Sequence, residues 1–225
     1  MPLCTLHALP YRPDPAFWFE RIHHAPGAVL LDSGRPVAER GRFDLLSAWP
    51  IQVLEPSASE TGVEFFSRLR EALRSLGDAE APPNADLPFI GGLLGYLSYD
   101  FGSRLEKFSN DAADDLGLPH ARFGIYAWAV VNDHQRQTTH LVFHPSMDQT
   151  ERDRLTTLFE TDWQSPLVTF SLSSAFTPDL IPSKYQDAIE RIQHYIQAGD
   201  CYQVNFAQRF QATYSGDPWR AFRLL

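Results

Sequence analysis

The sequence predicts an α+β fold with largely antiparallel sheets. Segments with strand patterning outnumber those with helical spacing. The strands also arrive mostly as neighbours rather than alternating with helices, which disfavours a doubly wound parallel sheet. At 225 residues, 44% hydrophobic and 21% charged, the chain can bury a sizeable core as one large domain or two small ones.

Taken in order, Leu3–Leu9 reads as a short strand. Asp14-Pro15 opens a helix, with Asp as N-cap and Pro at the first helical position. Pro26-Gly27 stops it, and His23-His24 suits its negative end. Ala28–Leu31 is predicted as a short buried strand ending in the turn Asp32-Ser33-Gly34. Arg42–Leu46 starts another strand, which Ile51–Leu54 continues or pairs with after Pro50. Thr61–Leu76 is predicted as a helix with Val63, Phe66, Leu69, Leu73 and Leu76 as its apolar stripe, ended by Gly77.

Asp78–Pro88 is a Pro- and Ala-rich surface connection. Phe89–Phe101 reads as a strand carrying Gly91, Gly92 and Gly95. Asn110–Gly117 is an acidic loop, and Arg122–Val131 with Thr138–Phe143 forms a hairpin. Asp148–Phe159 is a polar helix and Leu167–Leu172 a strand. Ser183 is predicted to N-cap a further helix, with Gln186 completing a capping box. Tyr185, Ile189, Ile192 and Ile196 form its apolar face, and Gly199 ends it. A long strand follows, with Tyr202, Val204, Phe206 and Phe210 on one side and Gln203, Asn205, Ala207 and Arg209 on the other. Asp217-Pro218 opens a last helix, where Trp219, Phe222 and Leu225 share a face.

A formal net charge of −9 argues against nucleic acid and anionic membrane as partners, since both demand clustered Lys and Arg. An anionic small substrate needs only local positive charge and stays open. Cys4 and Cys201 lie far apart without ligand spacing, which fits a reduced, cytoplasmic setting. No apolar run approaches the roughly 18 residues of a membrane span. The N-terminus lacks the basic-then-apolar pattern of a signal peptide.

Several motifs fail on spacing. Gly91-Gly92-Leu93-Leu94-Gly95 has no Gly-Lys-Ser/Thr after it and no G-x-G-x-x-G spacing, so it reads as a strand crowded by another backbone. His134, His140 and His144 lack the further firm ligand zinc requires, and read as solvent-facing hairpin histidines. Asp111, Asp114 and Asp115 do not follow calcium-loop spacing and read as a solvated loop. No nucleophile elbow, Ser/His/Asp order or paired carboxylates appear, so no catalytic residue and no metal ligand is assigned.

Gly199-Asp200-Cys201-Tyr202-Gln203-Val204-Asn205-Phe206-Ala207-Gln208-Arg209-Phe210 resembles the GD-x-Y/F-Q-V-x-x-x-Q-R-F segment of the chorismate-utilising enzymes. Phe89–Asp100 is similar to the family's F-x-G-G-x-x-G-x-x-x-Y-D segment. Asn205 resembles the aminodeoxychorismate branch, where anthranilate synthases usually carry an apolar residue. The resemblance implies two antiparallel sheets packed face to face with helices outside, as in anthranilate synthase component I. It implies an anthranilate synthase-like N-terminal region over 1–175 and the start of the chorismate-binding region over 176–225.

Implied activity is amination of chorismate to 4-amino-4-deoxychorismate for p-aminobenzoate and folate synthesis. Ammonia would come from glutamine through a glutamine amidotransferase partner, and Mg²⁺ would assist as a Lewis acid. Anthranilate synthesis is the alternative within the family; a non-catalytic tryptophan-binding or partner-docking module is the alternative outside enzymes. The family's K-G-T segment and Mg²⁺-binding glutamates have no counterpart here, and the apolar Leu224-Leu225 end reads as that of an N-terminal fragment.

Leu30-Leu31-Asp32-Ser33 and Gly41-Arg42-Phe43-Asp44 read from their residues as strand, turn, strand. They also resemble the paired segments that form the family's L-tryptophan pocket. That resemblance implies Ser33 as a polar contact and Arg40, Gly41, Arg42 and Phe43 as lining. Asp32 and Asp44 stand where anthranilate synthases usually carry Glu and often carry Ser, which bears on regulation more than on binding.

Overall fold

The computed structural model describes residues 1–34, 40–107, 114–164 and 168–225. Asp111 of the acidic loop and Leu167 at the head of an expected strand lie outside the described residues. Two compact units form, Met1–Ser165 and Pro166–Leu225. No described helix is long and apolar enough to cross a membrane.

The first unit contains β1 (Thr5–Leu9), α1 (Ala16–Phe19), β2 (Val29–Leu31), β3 (Phe43–Ser47), β4 (Gln52–Leu54), α2 (Gly62–Leu76), β5 (Gly92–Leu97), β6 (Ala121–Tyr126), β7 (Trp128–Asp133), β8 (Thr138–Phe143) and α3 (Gln149–Glu160). Five strands form one sheet in the order β1-β8-β7-β3-β2, and three form another in the order β4-β6-β5. Every pairing within them is antiparallel.

Period-two alternation divides the residues between faces. Leu45, Ala129, Val131 and Val142 from the larger sheet meet Leu94 and Tyr126 from the smaller one in a shared core. Outside the smaller sheet, α2 buries Phe65, Leu69, Ala72 and Leu76 against Leu54 and Ile125. Outside the larger sheet, Phe159 of α3 packs against both Trp18 of α1 and Trp128, with ring centroids 6.0 and 5.8 Å away. The unit is therefore a two-sheet sandwich with flanking helices, as the α+β patterning and the family resemblance imply.

Several elements depart from their patterning. The Ala28–Leu31 segment forms β2 at the sheet edge, where Leu31 is 50% exposed rather than buried. Gln52–Leu54 does not continue or pair with β3; it crosses to the other sheet and pairs with β6. Trp49 at φ 52, followed by Pro50, turns the chain there. The expected Arg122–Val131 strand is likewise split at Ala127, giving β6 to one sheet and β7 to the other. Such sheet switching is how one chain segment serves both layers. The apolar stripe of α2 is rotated: Val63 and Leu73 are 67% and 43% exposed, while Phe65 and the small Ala72 face the sheet. Phe89–Phe101 forms β5 and then a tight turn of 3₁₀ helix over Tyr99–Arg104.

The second unit contains β9 (Phe170–Leu172), β10 (Thr177–Pro178), α4 (Pro182–Ala198), β11 (Phe210–Gln211), β12 (Tyr214–Gly216) and α5 (Pro218–Leu224). β9 pairs with β12, and β10 with β11, both antiparallel. Ser183 is not the N-cap of α4: Ile181 holds that position, Pro182 is the first helical residue, and Gln186 bonds Glu190 instead. Gly199 does close α4 in the left-handed region, at φ 82. The long strand expected over Tyr202–Phe210 is formed only at Phe210, because extended residues without a laddered neighbour do not make a sheet.

Candidate ligand site

The edge of the larger sheet carries a polar cluster built from distant parts of the chain. Asp44 lies in the otherwise apolar strand Phe43-Asp44-Leu45-Leu46, on the outer face, and is 1% exposed. A buried carboxylate needs donors on each oxygen. Oδ1 accepts from the Ser33 backbone N–H at 2.9 Å and from the Ser33 hydroxyl at 2.7 Å. Oδ2 accepts from Asn132 Nδ2 at 3.1 Å and lies 2.6 Å from His134 Nε2. The cluster continues outward. Asn132 Oδ1 accepts from Thr139 Oγ1 at 2.7 Å, Asn132 Nδ2 donates to the Arg12 carbonyl at 2.9 Å, and His134 Nδ1 meets the Tyr11 hydroxyl at 3.0 Å.

Gly41 completes the edge beside Ser33. Its φ is 105, and a Cβ built there would stand 2.7 Å from Ser33 Cβ. Glycine is required both by the backbone conformation and by this close approach. Arg40 is exposed.

Arg42 and Phe43 turn to the opposite face of the sheet. The Phe43 ring packs with the shared core, and the Arg42 guanidinium lies over it at 4.4 Å from the centroid. Arg42 also donates to Asp133, 2.7 Å through Nη2, and to Asp86. A cleft of about 290 Å³ opens on this face, with Leu6, Phe43, Leu87, Val131 and His140 among its walls. The five residues implied for the tryptophan pocket therefore divide: Ser33 and Gly41 are brought together, and Arg42 and Phe43 stand back to back with them across the sheet.

The expected solvent-facing histidines are corrected by burial. His144 is 3% exposed, with Nδ1 accepting from the Ser146 backbone N–H at 3.1 Å, and His134 is bonded to Asp44. Burial pushes the pKa of both His140 and His144 down. Sequence reasoning missed the cluster; the one available signal is the lone Asp44 in an apolar strand, whose partners Asn132 and His134 lie 88 and 90 positions away. The amide-rich segment does not form a walled site; Gln203 and Asn205 are exposed, with a 3.4 Å bond between them.

Asp44 and Asp133 are the buried carboxylates among the described residues. Their oxygens are taken up by Ser33, Asn132, His134 and Arg42, so they do not fit a magnesium ligand set, which wants open carboxylates and water.

The model of the chorismate binding enzyme family matches residues 28–225, and the chain belongs to that family. Within the family, it is 37% identical to aminodeoxychorismate synthase component 1 of Salmonella typhimurium, over 98% of this chain and 50% of that protein. It is 39% identical to aminodeoxychorismate synthase component 1 of Escherichia coli, over 94% of this chain and 48% of that protein. Anthranilate synthase component 1 of Thermus thermophilus is 30% identical, over 89% of this chain and 45% of that protein. Among solved structures, anthranilate synthase component I from Streptococcus pneumoniae matches with a TM-score of 0.58 and 23% identity, covering 86% of this chain and 48% of that one. The chain thus spans about half the length of the relatives it matches.

Proposed function

We propose that this chain serves as the N-terminal part of an aminodeoxychorismate synthase component I, which aminates chorismate to 4-amino-4-deoxychorismate for p-aminobenzoate and folate synthesis. The observation that carries the reading is the greater identity to the enterobacterial aminodeoxychorismate synthases than to the anthranilate synthase. Asn205 supports it, as the residue the aminodeoxychorismate branch carries after Gln-Val. A glutamine amidotransferase supplies ammonia, and the setting is cytoplasmic. Mg²⁺ would supply Lewis acidity for loss of the chorismate hydroxyl, held by residues outside this chain. The region 1–175 is the N-terminal scaffold and 176–225 the start of the chorismate-binding region.

The sheet edge is proposed as an L-tryptophan pocket. Ser33 and Gly41 lie at its centre, Arg40 at its exposed rim, and Arg42 and Phe43 support it from the opposite face. The test is product analysis of the full-length protein with a glutamine amidotransferase, chorismate, glutamine and Mg²⁺. Aminodeoxychorismate is the expected product; anthranilate would overturn the reading.

A further inference from the structure

We infer that the cleft beneath the 82–87 connection is a binding site for a small uncharged aromatic molecule carrying a hydroxyl group, held through Thr138 and His140. It lies on the opposite face of the larger sheet from the Ser33–Asp44 pair and takes its polar contacts from β8.

Sheet register builds its floor. Directly paired residues on neighbouring strands project to the same face. Phe43, Asp133 and Thr138 form one such row across β3, β7 and β8, and Leu45, Val131 and His140 form the next. The 82–87 connection makes the facing wall. It is fixed there: Arg42 donates to Asp86, Arg136 Nη1 donates to the Asn84 carbonyl at 3.3 Å, and Leu87 packs with the shared core. The space of about 290 Å³ stands at the small end of ligand pockets, which run from roughly 300 to 1,000 Å³, and suits one ring or two fused rings.

The charges around the cleft already answer one another. Arg42 bonds both Asp133 and Asp86, and Arg136 lies 3.9 Å from Asp86 and 4.0 Å from Asp133. Burial pushes the His140 pKa down, so its ring is neutral at neutral pH. A ligand carboxylate would add a third negative charge beside the two aspartates, and a ligand ammonium a third positive charge beside the two arginines. Either sign is therefore disfavoured.

The groups left to bond a ligand are neutral. Thr138 and His140 line the cleft, and among the described residues neither side chain has a hydrogen-bond partner. They stand two residues apart on one strand face, about 6.6 Å along it. One ligand oxygen between them reaches both at hydrogen-bond distance. A hydroxyl donates once and accepts as well, which matches a threonine hydroxyl and a neutral imidazole. Phe43, Val131 and Leu87 supply apolar surface for the ring.

The test is calorimetric titration of the full-length protein with 2-naphthol, 2-naphthoate and 2-naphthylmethylamine. 2-Naphthol is expected to bind roughly tenfold more tightly than either charged compound. Thr138→Val keeps the side-chain shape and removes the hydroxyl, and should weaken 2-naphthol by roughly three- to tenfold. His140→Leu should do the same, and Thr138→Val covers the case of its failing to fold. Saturating L-tryptophan should leave 2-naphthol binding unchanged. No binding of 2-naphthol, equal or tighter binding of a charged compound, or an affinity that Thr138→Val leaves unchanged overturns the inference. Displacement of 2-naphthol by L-tryptophan overturns it too, because it would put the ligand in the sheet-edge pocket. Each of these results bears on the cleft and leaves the proposed activity as it stands.

Discussion

Asp133 shows how one residue is held against its own burial. It is 5% exposed, and burial alone would push its carboxyl up. Arg42 donates to it from Nε and Nη2, and the Gln135 and Arg136 backbone N–H groups donate to Oδ1 at 3.0 and 3.1 Å. Together they outweigh the burial and hold the carboxyl below the usual carboxylate range. The same bond raises the Arg42 guanidinium. A carboxyl depressed in the folded state adds stability that is complete above its unfolded value, near about 3.9, and is lost as the pH falls through the folded value. Asp133→Asn should therefore lower stability at neutral pH by about 1–3 kcal/mol. The gap to the unsubstituted protein should narrow on acidification below about pH 4. Urea unfolding across this range checks it, and a gap that does not change with pH would refute the assignment.

At the scale of elements, the β5–β6 pairing depends on Gly95. A Cβ there would lie 2.1 Å from the Arg122 carbonyl oxygen and 2.7 Å from Phe123 Cα, both main-chain atoms that cannot rotate away. Gly95→Ala should cost about 1–3 kcal/mol by overpacking. Thermal unfolding reads the loss, and an unchanged midpoint would mean the strands can separate without penalty. Crowding by a neighbouring backbone was legible from the glycine-rich strand itself. So were α2 and its Thr61 start, since Thr61 and Glu64 form a reciprocal capping box within four residues. What escaped the sequence was pairing. Gln52–Leu54 reads as a strand, but its neighbour is set by the turn at Trp49-Pro50 and by the distant β6. Tyr202–Phe210 alternates as a strand should, yet alternation does not supply a partner. In the candidate site, the Ser33 and Gly41 segments were legible by resemblance. Asp44 and His134 were not joined, because nothing local in a hairpin turn shows that it closes on a carboxylate in β3.

For the whole molecule, the two units differ in how their helices are secured. In the first unit, α2 buries Phe65, Leu69, Ala72 and Leu76. In the second, α4 has no fully buried residue: Ile189 and Ile192 are only partly buried, and Tyr185 and Ile196 stay 36% and 41% exposed. Tyr185 meets the Phe206 ring at 5.4 Å between centroids. A helix of 17 residues gains little from propensity alone and takes most of its stability from packing of its apolar face. Local opening, and hence amide exchange, follows that packing. In this 225-residue chain the amides of Ile189–Ala198 should exchange at least about tenfold faster than those of Leu69–Leu76. In a full-length protein of the family, where further chain can cover the α4 face, the difference should shrink. Hydrogen–deuterium exchange on both proteins decides it. Equal protection of the two helices in the 225-residue chain would mean that the second unit is held by packing as firm as that of the sandwich.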